Sequence, residues 1–312
     1  MSTAPGPVVG LDLGGTKIDA ALVGADGSVL DRHTVPTPAA EGATAVLDAL
    51  AAAVRAVDRG AHAVGVAAAG VIDPRTGTVT ASTDTIRGWA GTALGAGLAD
   101  RTGLPVACDN DVRATAGPEL AALGAESTLL FVAVGTGVGG AVAAEGRMLH
   151  GAAGVAGHLG HLPSPEAAGL PCTCGARGHL EAVASGPGIT ALYERLADVR
   201  VDRLQTVAQR AAAGDRHAVR AITLGASAMG RALGGLANAL GPDRVVVAGG
   251  VPRIGPLYRD ALDRAFTAEL MAPLRHLRPT LPRLGSDAAV LGGAALTTTA
   301  PLHRPRHQKQ TH

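Results

Sequence analysis

The sequence contains the same local pattern twice, beginning at residue 8 and again at residue 129. Each copy consists of an apolar strand, a glycine-rich turn, a second strand, another turn and a third strand. Self-similarity over such a long interval indicates a duplicated two-domain architecture rather than a solenoid of short repeats. The length of 312 residues also suits roughly two domains, so we expect two related α/β domains.

The expected domain boundaries follow from this repeat. We predict an N-terminal α/β domain over residues 1–116 and a larger C-terminal α/β domain over residues 117–299. Apolar residues at helical spacing predict helices over 43–57 and 216–240. The last helix is expected to pack back on the N-terminal domain. Residues 300–312 are basic, contain proline and lack periodicity, which predicts a disordered tail.

The charge balance gives no reason to expect nucleic acid or a membrane as partner. Lys and Arg number 27 and Asp and Glu number 26, so the formal net charge is only +1. Aromatic residues make up 2% of the chain, which leaves little material for stacking on single-stranded bases. The most apolar long stretch, residues 221–240, contains Arg231 and four glycines, which favours a buried helix over a membrane span.

Cysteine usage and the N-terminus bear on the compartment. The three cysteines are an odd number, and Cys172 and Cys174 are separated by one residue, which argues against a disulfide framework. The first ten residues lack the basic start and apolar run of a signal peptide. We therefore expect a cytoplasmic protein.

The first glycine-rich turn is a candidate phosphate-binding loop. It contains Asp12, Gly14, Gly15, Thr16 and Lys17. Gly10 and Gly15 have P-loop spacing, but Thr16 stands where that motif requires lysine, and a strand follows instead of a helix. Exposed backbone N–H groups in such a turn can still hold phosphate oxygens. The alternative is an ordinary hairpin.

The second glycine-rich turn contains Gly135, Thr136 and Gly137 and satisfies G-x-G-x-x-G after a strand. A dinucleotide-binding fold would need a helix next, whereas a strand and a turn follow. This turn alone could also be an ordinary hairpin. Two such turns at equivalent places in duplicated halves favour phosphate binding.

A carboxylate-rich motif, Asp109-Asn110-Asp111, closes a predicted strand just before a predicted helix. Catalytic groups cluster at the carboxyl ends of strands in α/β sheets. A carboxylate at this position could act as general base on a substrate hydroxyl, with Asn110 orienting the substrate through hydrogen bonds. The alternative is a helix N-cap without a catalytic role.

Two histidines and two cysteines form a candidate zinc site: His161, Cys172, Cys174 and His179. Two thiolates and two imidazoles can complete a tetrahedral structural zinc site. The alternative is a loop with two free thiols. A catalytic zinc is less favoured, because four protein ligands would leave no open position.

Seven motifs, within a match that runs from about residue 8 to about residue 297, together resemble the ROK family of bacterial sugar kinases and repressors. They are VVGLDLGGTKIDAAL, LPVACDNDVRATAG, VAVGTGVGGAV, GAAGVAGHLGHL, CTCGARGHLEAVASG, VVVAGGV and DAAVLGGAAL. The resemblance implies an actin-like, hexokinase-type (ribonuclease H-like) fold of two α/β domains with the active site in the cleft. It also implies ATP, Mg²⁺ and a structural Zn²⁺, a small-molecule sugar substrate and a homodimer.

The resemblance also implies roles for individual residues. It makes Asp111 the catalytic base. The implied sugar ligands are Gly70, Asn110, His158, His161 and Glu181. The implied nucleotide and phosphate ligands are Asp12, Gly14, Gly15, Thr16, Lys17, Gly135, Thr136, Gly137, Gly249 and Gly250. The implied zinc ligands are His161, Cys172, Cys174 and His179.

Four positions depart from the family pattern. His179 replaces the usual fourth cysteine, and Arg113 replaces an asparagine two residues after the base. Thr85 replaces an expected sugar-binding asparagine, and His158 replaces the glutamate that begins G-E-I-G-H. Neutral histidine can donate a hydrogen bond to an acetamide carbonyl, whereas ionised glutamate only accepts. The resemblance implies phosphorylation of the 6-hydroxyl of a hexose or hexosamine, and His158 makes N-acetylmannosamine the substrate we expect.

Several other functions stay open. Glucose, N-acetylglucosamine, another amino sugar or a cyclitol are alternative substrates. A repressor would carry a winged helix before the first strand, which here begins at residue 8, and no basic recognition helix is evident. A non-catalytic sugar sensor would not need Asp111 and both glycine-rich turns.

Overall fold

The computed structural model describes residues 6–285 and 287–306. Twelve β-strands lie in these ranges: β1 (Val8–Leu13), β2 (Lys17–Val23), β3 (Val29–Pro36), β4 (Val64–Ala68), β5 (Val71–Asp73), β6 (Thr78–Ala81), β7 (Val106–Asn110), β8 (Leu129–Val134), β9 (Val138–Ala144), β10 (Arg147–Met148), β11 (Arg244–Ala248) and β12 (Pro279–Thr280). The same ranges contain nine α-helices: α1 (Ala43–Val57), α2 (Leu94–Thr102), α3 (Asp111–Ala121), α4 (Glu181–Ala184), α5 (Gly186–Ala197), α6 (Leu204–Ala212), α7 (Arg216–Leu240), α8 (Pro256–Glu269) and α9 (Ala288–Thr299).

The chain divides into two compact units. The first contains the residues up to Ala122, His150–Val155 and the residues from Leu284 onward. The second contains Leu123–Leu149 and Ala156–Arg283. This division falls later than the predicted boundary between residues 116 and 117, because α3 continues to Ala121.

Each unit is built on a five-stranded mixed sheet. The strand order is β3-β2-β1-β4-β7 in the first unit and β10-β9-β8-β11-β12 in the second. In both, the first three strands along the chain are antiparallel neighbours, and the other two run parallel to the first strand. The two sheets therefore share one topology, and the duplicated pattern predicted from the sequence is confirmed.

Helices cover both faces of the first sheet because its strands alternate apolar residues between the two sides. Leu11 and Leu22 belong to the core that contains α1 and α2. Ala21 packs with Val290 and Ala294 of α9 on the opposite face. This arrangement holds the carboxyl ends of β1, β4 and β7 in a sheet packed on both sides.

The core of the second unit is organised around α7, which packs against α5, α6 and α8. The side chain of Asp215 caps its start by accepting hydrogen bonds from the backbone of His217 and Ala218, at 2.8 and 3.2 Å. Gly241 ends it in the left-handed conformation. None of the helices within the described ranges is both long and apolar enough to cross a membrane.

The backbone of α9 approaches that of α3 so closely at Gly292 that only glycine fits there. A Cβ atom at Gly292 would overlap the carbonyl oxygen of Ala114 in α3, whereas one at Gly117 would meet nothing within 4 Å. We expect Gly292→Ala to lower the free energy of unfolding by about 1–3 kcal/mol through overpacking. The matched control Gly117→Ala should raise it by about 0.5–1 kcal/mol, since alanine is the better helix former. Equal effects of the two substitutions in denaturant titrations would contradict this packing argument.

The start of the predicted tail differs from the sequence expectation. The backbone of His303 exchanges two hydrogen bonds with Val106 on the edge strand β7, at 2.8 and 2.7 Å. Its ring Nε2 lies 3.1 Å from the carbonyl oxygen of Pro74, and the backbone N–H of Arg306 donates to Asp100 at 2.8 Å. A bridge of one residue leaves no periodic signal, so the sequence could not indicate it. Residues 307–312 lie outside the described residues.

Candidate active site

The first glycine-rich turn is a tight hairpin between β1 and β2. The N–H of Gly14 donates to the carbonyl oxygen of Lys17 at 3.0 Å, and the Thr37 hydroxyl donates to the carbonyl oxygen of Gly14 at 2.8 Å. A Cβ atom at Gly15 would collide with the Thr85 side chain. Thr16 and Lys17 are exposed at the tip, and the carbonyl oxygen of Thr16 accepts a hydrogen bond from the N–H of Thr37 at 3.0 Å.

Two carboxylates lie opposite each other in the strands that flank this turn, Asp12 in β1 and Asp19 in β2. Burial raises the pKa of Asp12, although the positive charge of Lys17 opposes this. The hydrogen bond from Arg32 lowers the pKa of Asp19; the Arg32 Nε atom donates to it at 2.9 Å and the Thr34 hydroxyl at 3.0 Å. Sequence reasoning missed Asp19, although a carboxylate within the apolar run IDAALV was a visible signal.

The carboxylate predicted to be the base lies where β7 becomes α3. Asn110 caps this helix, because its Oδ1 atom accepts hydrogen bonds from the backbone of Val112 and Arg113 at 3.1 and 3.2 Å. Its Nδ2 atom donates to Oδ1 of Asp111 at 2.7 Å and to the carbonyl oxygen of Gly70 at 3.0 Å. The structure thus brings Gly70, Asn110 and Asp111 together. Asn110 is therefore the N-cap of α3, as the alternative interpretation predicted, and the Asp111 carboxylate lies next to this cap.

The Asp111 carboxyl group is protonated more readily than an ordinary one. Burial raises its pKa to about 6, and the negative charge of Asp12 adds to this shift. Hydrogen bonds from the Val112 backbone and the Asn110 side chain act in the opposite direction. A carboxylate with this pKa is ionised at neutral pH and holds a proton more strongly than an exposed one, which suits a general base.

The second glycine-rich turn is a hairpin in the second unit, between β8 and β9. The N–H of Gly135 donates to the carbonyl oxygen of Gly137 at 2.9 Å, and the carbonyl oxygen of Gly135 accepts from the N–H of Gly186 in α5 at 2.8 Å. A cavity of about 530 Å³ adjoins this turn. Its lining includes Gly135, Thr136 and Gly250, the first turn of α5 and residues 201–205.

Three of the five predicted nucleotide ligands of the second unit line this cavity, and Gly137 and Gly249 do not. Gly249 has a positive φ of 95°, and a Cβ atom at this position would overlap the backbone of Val134. The part of the lining formed by α5 and residues 201–205 was missed. No motif marks these residues, because they come from a helix and a loop distant in sequence from the turn.

Glu181 connects the second turn to the cysteine-containing loop. Its Oε2 atom accepts a hydrogen bond from the N–H of Val138 at 2.8 Å, and its Oε1 atom accepts one from the Thr173 hydroxyl at 2.6 Å. Each carboxylate oxygen can accept a second hydrogen bond. Glu181, predicted only as a sugar ligand, is therefore also part of the structure of the turn.

The four predicted metal ligands come together in the second unit. One ligand atom from each of His161, Cys172, Cys174 and His179 lies within 4.8 Å of all the others. The Nδ1 atom of His161 is 3.5 Å from Sγ of Cys172, and Nδ1 of His179 is 3.2 Å from Sγ of Cys174. Two sulfur and two nitrogen donors this close fit a tetrahedral Zn²⁺ site.

His158, at the position where the family pattern has glutamate, lies beside this cluster. Its ring stacks on that of His161, with centroids 6.4 Å apart and an interplanar angle of 19°. The ring of His161 in turn meets His179 edge-on at 5.5 Å. His158 therefore lies next to one of the four candidate metal ligands.

Comparisons with known proteins agree with this architecture. The chain matches the ROK family profile over residues 8–300. It is 36% identical over 295 residues to the N-acetylmannosamine kinase of Escherichia coli (strain 55989 / EAEC), covering 92% of this chain and 96% of that protein. It is 32% identical over 311 residues to the glucokinase of Halalkalibacterium halodurans (strain ATCC BAA-125 / DSM 18197 / FERM 7344 / JCM 9153 / C-125), covering 92% and 94%.

Among solved structures, the ROK hexokinase from Thermus thermophilus matches with a TM-score of 0.81 and 34% identity, covering 93% of this chain and 97% of that one. The predicted hexokinase-type α/β fold is thus confirmed. By sequence profile, by identity to these relatives and by fold, the chain belongs to the ROK family.

Proposed function

We propose that this protein is an ATP-dependent sugar kinase that phosphorylates the 6-hydroxyl of a hexosamine, with N-acetylmannosamine as the favoured substrate. The observation that carries the proposal is Asp111, a partly buried carboxylate with a pKa of about 6, held by Asn110 at the start of α3. Relatives named as sugar kinases support the reaction class.

In the proposed reaction, Asp111 accepts the proton of the sugar hydroxyl as its oxygen attacks the γ-phosphorus of ATP. A phosphorus–oxygen bond forms to the sugar, and the bond from the γ-phosphorus to the oxygen bridging the β-phosphate breaks, releasing ADP. Asn110 orients the base through its 2.7 Å hydrogen bond to the Asp111 carboxylate. Positioning of the reactants supplies much of the acceleration in such reactions.

Phosphate binding is assigned to the glycine-rich turns, each of which offers backbone N–H donors for phosphate oxygens. Lys17, exposed in the first turn, adds a positive charge. Mg²⁺ would be held by Asp12 and by phosphate oxygens, and it would neutralise charge on the phosphates. The nucleoside is assigned to the cavity of about 530 Å³ beside the second turn, a volume within the range of small-molecule sites.

Zinc is proposed as a structural ion held by His161, Cys172, Cys174 and His179. Four protein ligands would leave no position for substrate, so the ion would organise a loop and take no part in the chemistry. That loop includes Thr173, whose hydroxyl donates to Glu181 at 2.6 Å, and Glu181 accepts from Val138 beside the second turn. The ion would therefore support the second glycine-rich turn as well.

The substrate proposal rests on His158. A neutral imidazole offers one donor and one acceptor, so it can donate to the carbonyl oxygen of an N-acetyl group. A site built to hydrogen-bond a substrate group discriminates strongly against sugars that lack it, because its buried polar atoms are then unpaired. The 36% identity to a protein named N-acetylmannosamine kinase supports this choice, and the 32% identity to one named glucokinase keeps glucose as the second candidate.

The test is a coupled assay of ADP release with N-acetylmannosamine, N-acetylglucosamine, glucose and mannose. We expect kcat/KM for N-acetylmannosamine to exceed that for glucose by at least about tenfold, the effect of one matched polar contact. His158→Glu removes the donor and should reduce this ratio by a similar factor. If glucose instead gives the highest kcat/KM by tenfold, glucokinase is the better assignment. Absence of ADP release with all four sugars would contradict the N-acetylmannosamine assignment and would point to another amino sugar, a cyclitol or a sensor.

A further inference from the structure

A buried ion pair frames the two residues at the start of α3. Asp109 and Arg113 lie on either side of Asn110 and Asp111, with side chains only 4% and 1% exposed. The Nε and Nη2 atoms of Arg113 are 2.9 and 2.8 Å from Oδ1 of Asp109. This Oδ1 atom also accepts a hydrogen bond from the N–H of Asn110 at 2.7 Å. The pair is therefore bonded directly to the backbone that presents Asp111.

The guanidinium of Arg113 also holds two other segments of the first unit. Its Nη1 atom donates to the carbonyl oxygen of Gly154 at 2.9 Å, and its Nη2 atom donates to that of Ile72 in β5 at 3.1 Å. On the other side of the pair, Nε2 of His150 lies 2.7 Å from Oδ2 of Asp109. Because an ionised carboxylate only accepts, this imidazole nitrogen donates. One network thus joins α3, β5 and the segment His150–Val155.

The composition of this network argues for a role beyond holding the core together. Burying two charges is expensive, and an apolar pair of similar volume is often as stabilising or more so. The planar fork of arginine, however, can reach a carboxylate and two carbonyl oxygens at fixed angles, which neither an apolar residue nor lysine can do. The network therefore fixes the relative positions of the carboxylate and the two carbonyl oxygens that Arg113 contacts.

The network also determines the position and orientation of Asn110. Its backbone N–H is fixed by Asp109, and its side-chain amide is fixed by the carbonyl oxygen of Gly70 at 3.0 Å. Gly70 is two residues before Ile72, which Arg113 holds directly. The same Asn110 amide donates to Asp111. A shift of Arg113 would release both supports of Asn110 and allow the Asp111 carboxylate to turn.

We propose that Arg113, with Asp109 and His150, is a positioning residue for phosphoryl transfer that sets the orientation of the Asp111 carboxylate through Asn110. This inference rests on the proposed kinase function. Arg113 touches no reacting atom in this scheme. Its effect should appear in kcat, because an error of about 1 Å in a reacting group can reduce a rate about a hundredfold.

The decisive variant is the double substitution Asp109→Asn/Arg113→Met. It removes both buried charges, keeps an oxygen that accepts from the Asn110 N–H, and removes the donors to Ile72 and Gly154. We expect a folded protein with a lowered Tm, because the carbonyl oxygens of Ile72 and Gly154 lose their donors. We expect kcat to be reduced by ~10- to 100-fold and KM for ATP to change by less than about threefold. A stable double variant with kcat within threefold of the wild type would overturn the proposal.

If the double variant does not fold, Arg113→Lys tests whether Arg113 positions the Asp111 carboxylate. Lysine keeps the charge next to Asp109, but its compact ammonium does not reproduce the planar fork by which Arg113 reaches Asp109, Ile72 and Gly154. We expect a smaller loss of kcat, about three- to tenfold, and faster hydrogen exchange of the Asn110, Val112 and Arg113 amides, which donate to the network or the cap. Unchanged kcat and exchange would overturn the proposal. Arg101→Met, which breaks an exposed ion pair with Asp48, is the matched control.

The exchange measurement separates this inference from the proposed function. If the wild-type protein phosphorylates no sugar, the kinase proposal fails, and faster exchange of the three amides in Arg113→Lys would show only that Arg113 fixes this backbone. If the wild type is active and both variants keep full kcat, the kinase proposal stands and the positioning role is wrong.

Discussion

Asp111→Asn is expected to lower kcat for sugar phosphorylation by about 10²- to 10⁴-fold, the usual contribution of a general base. Asparagine keeps the shape of the side chain and can accept the hydrogen bonds from Asn110 and Val112. It cannot take a proton from the sugar hydroxyl. Binding of sugar, measured by calorimetry without turnover, should change much less than kcat.

The same substitution should stabilise the fold at neutral pH. The pKa of Asp111 is raised to about 6 from an ordinary value of 3.8, so the folded state binds this proton more tightly than the unfolded state. Stability of the wild type therefore falls as pH rises from about 4 to 6 and the carboxylate becomes charged inside the protein. Asp111→Asn has no carboxylate to become charged at this position. Its free energy of unfolding should therefore exceed that of the wild type above pH 6 and equal it below pH 4.

The wild-type pH profile offers an independent measurement of the same carboxylate. Below about pH 6 the base is protonated, and kcat/KM should fall about tenfold per pH unit. Asp48→Asn, which removes an exposed carboxylate of the same unit, is the control and should leave both kcat and the profile unchanged. If Asp111→Asn retains more than about a tenth of wild-type kcat, Asp111 is not the general base.

We expect the wild type to contain about one zinc ion per chain and Cys172→Ser to release it. Serine oxygen is a much poorer zinc ligand than thiolate, and three remaining ligands would bind weakly. Because zinc binding to such a site contributes to folding, Tm should fall by roughly 5 °C or more. The affinity for sugar should fall with it, since His158 stacks on the ligand His161.

The control for this experiment is Cys108→Ala. Cys108 is buried in β7, outside the metal cluster, and burial raises its pKa to about 12, so it remains a neutral thiol. This variant should keep its zinc. Metal analysis of protein purified without a histidine tag provides the measurement. Clearly substoichiometric zinc in the wild type would show that His179 does not replace the family's usual cysteine.

The elements of the fold could largely be predicted from local sequence. Apolar periodicity marked α1 and α7 at the bounds that the structure has, 43–57 and 216–240. Both glycine-rich turns were predicted as hairpins because strands, and no helix, follow them. Asn110 was recognisable as a helix cap from its position before α3. These features depend on residues close together in the chain, so the sequence carries their signal.

Only the tertiary structure decided how the functional side chains are supported. Arg113 was visible as a departure from the family pattern. Its hydrogen bonds, however, reach Ile72 and Gly154, each of which is 41 positions away in the chain. Glu181 likewise bonds Val138, and His303 pairs with Val106. Each is a single contact between distant segments and leaves no repeating pattern. The sequence by itself therefore determined the elements and the reactive groups, whereas chain packing determined which partners orient them.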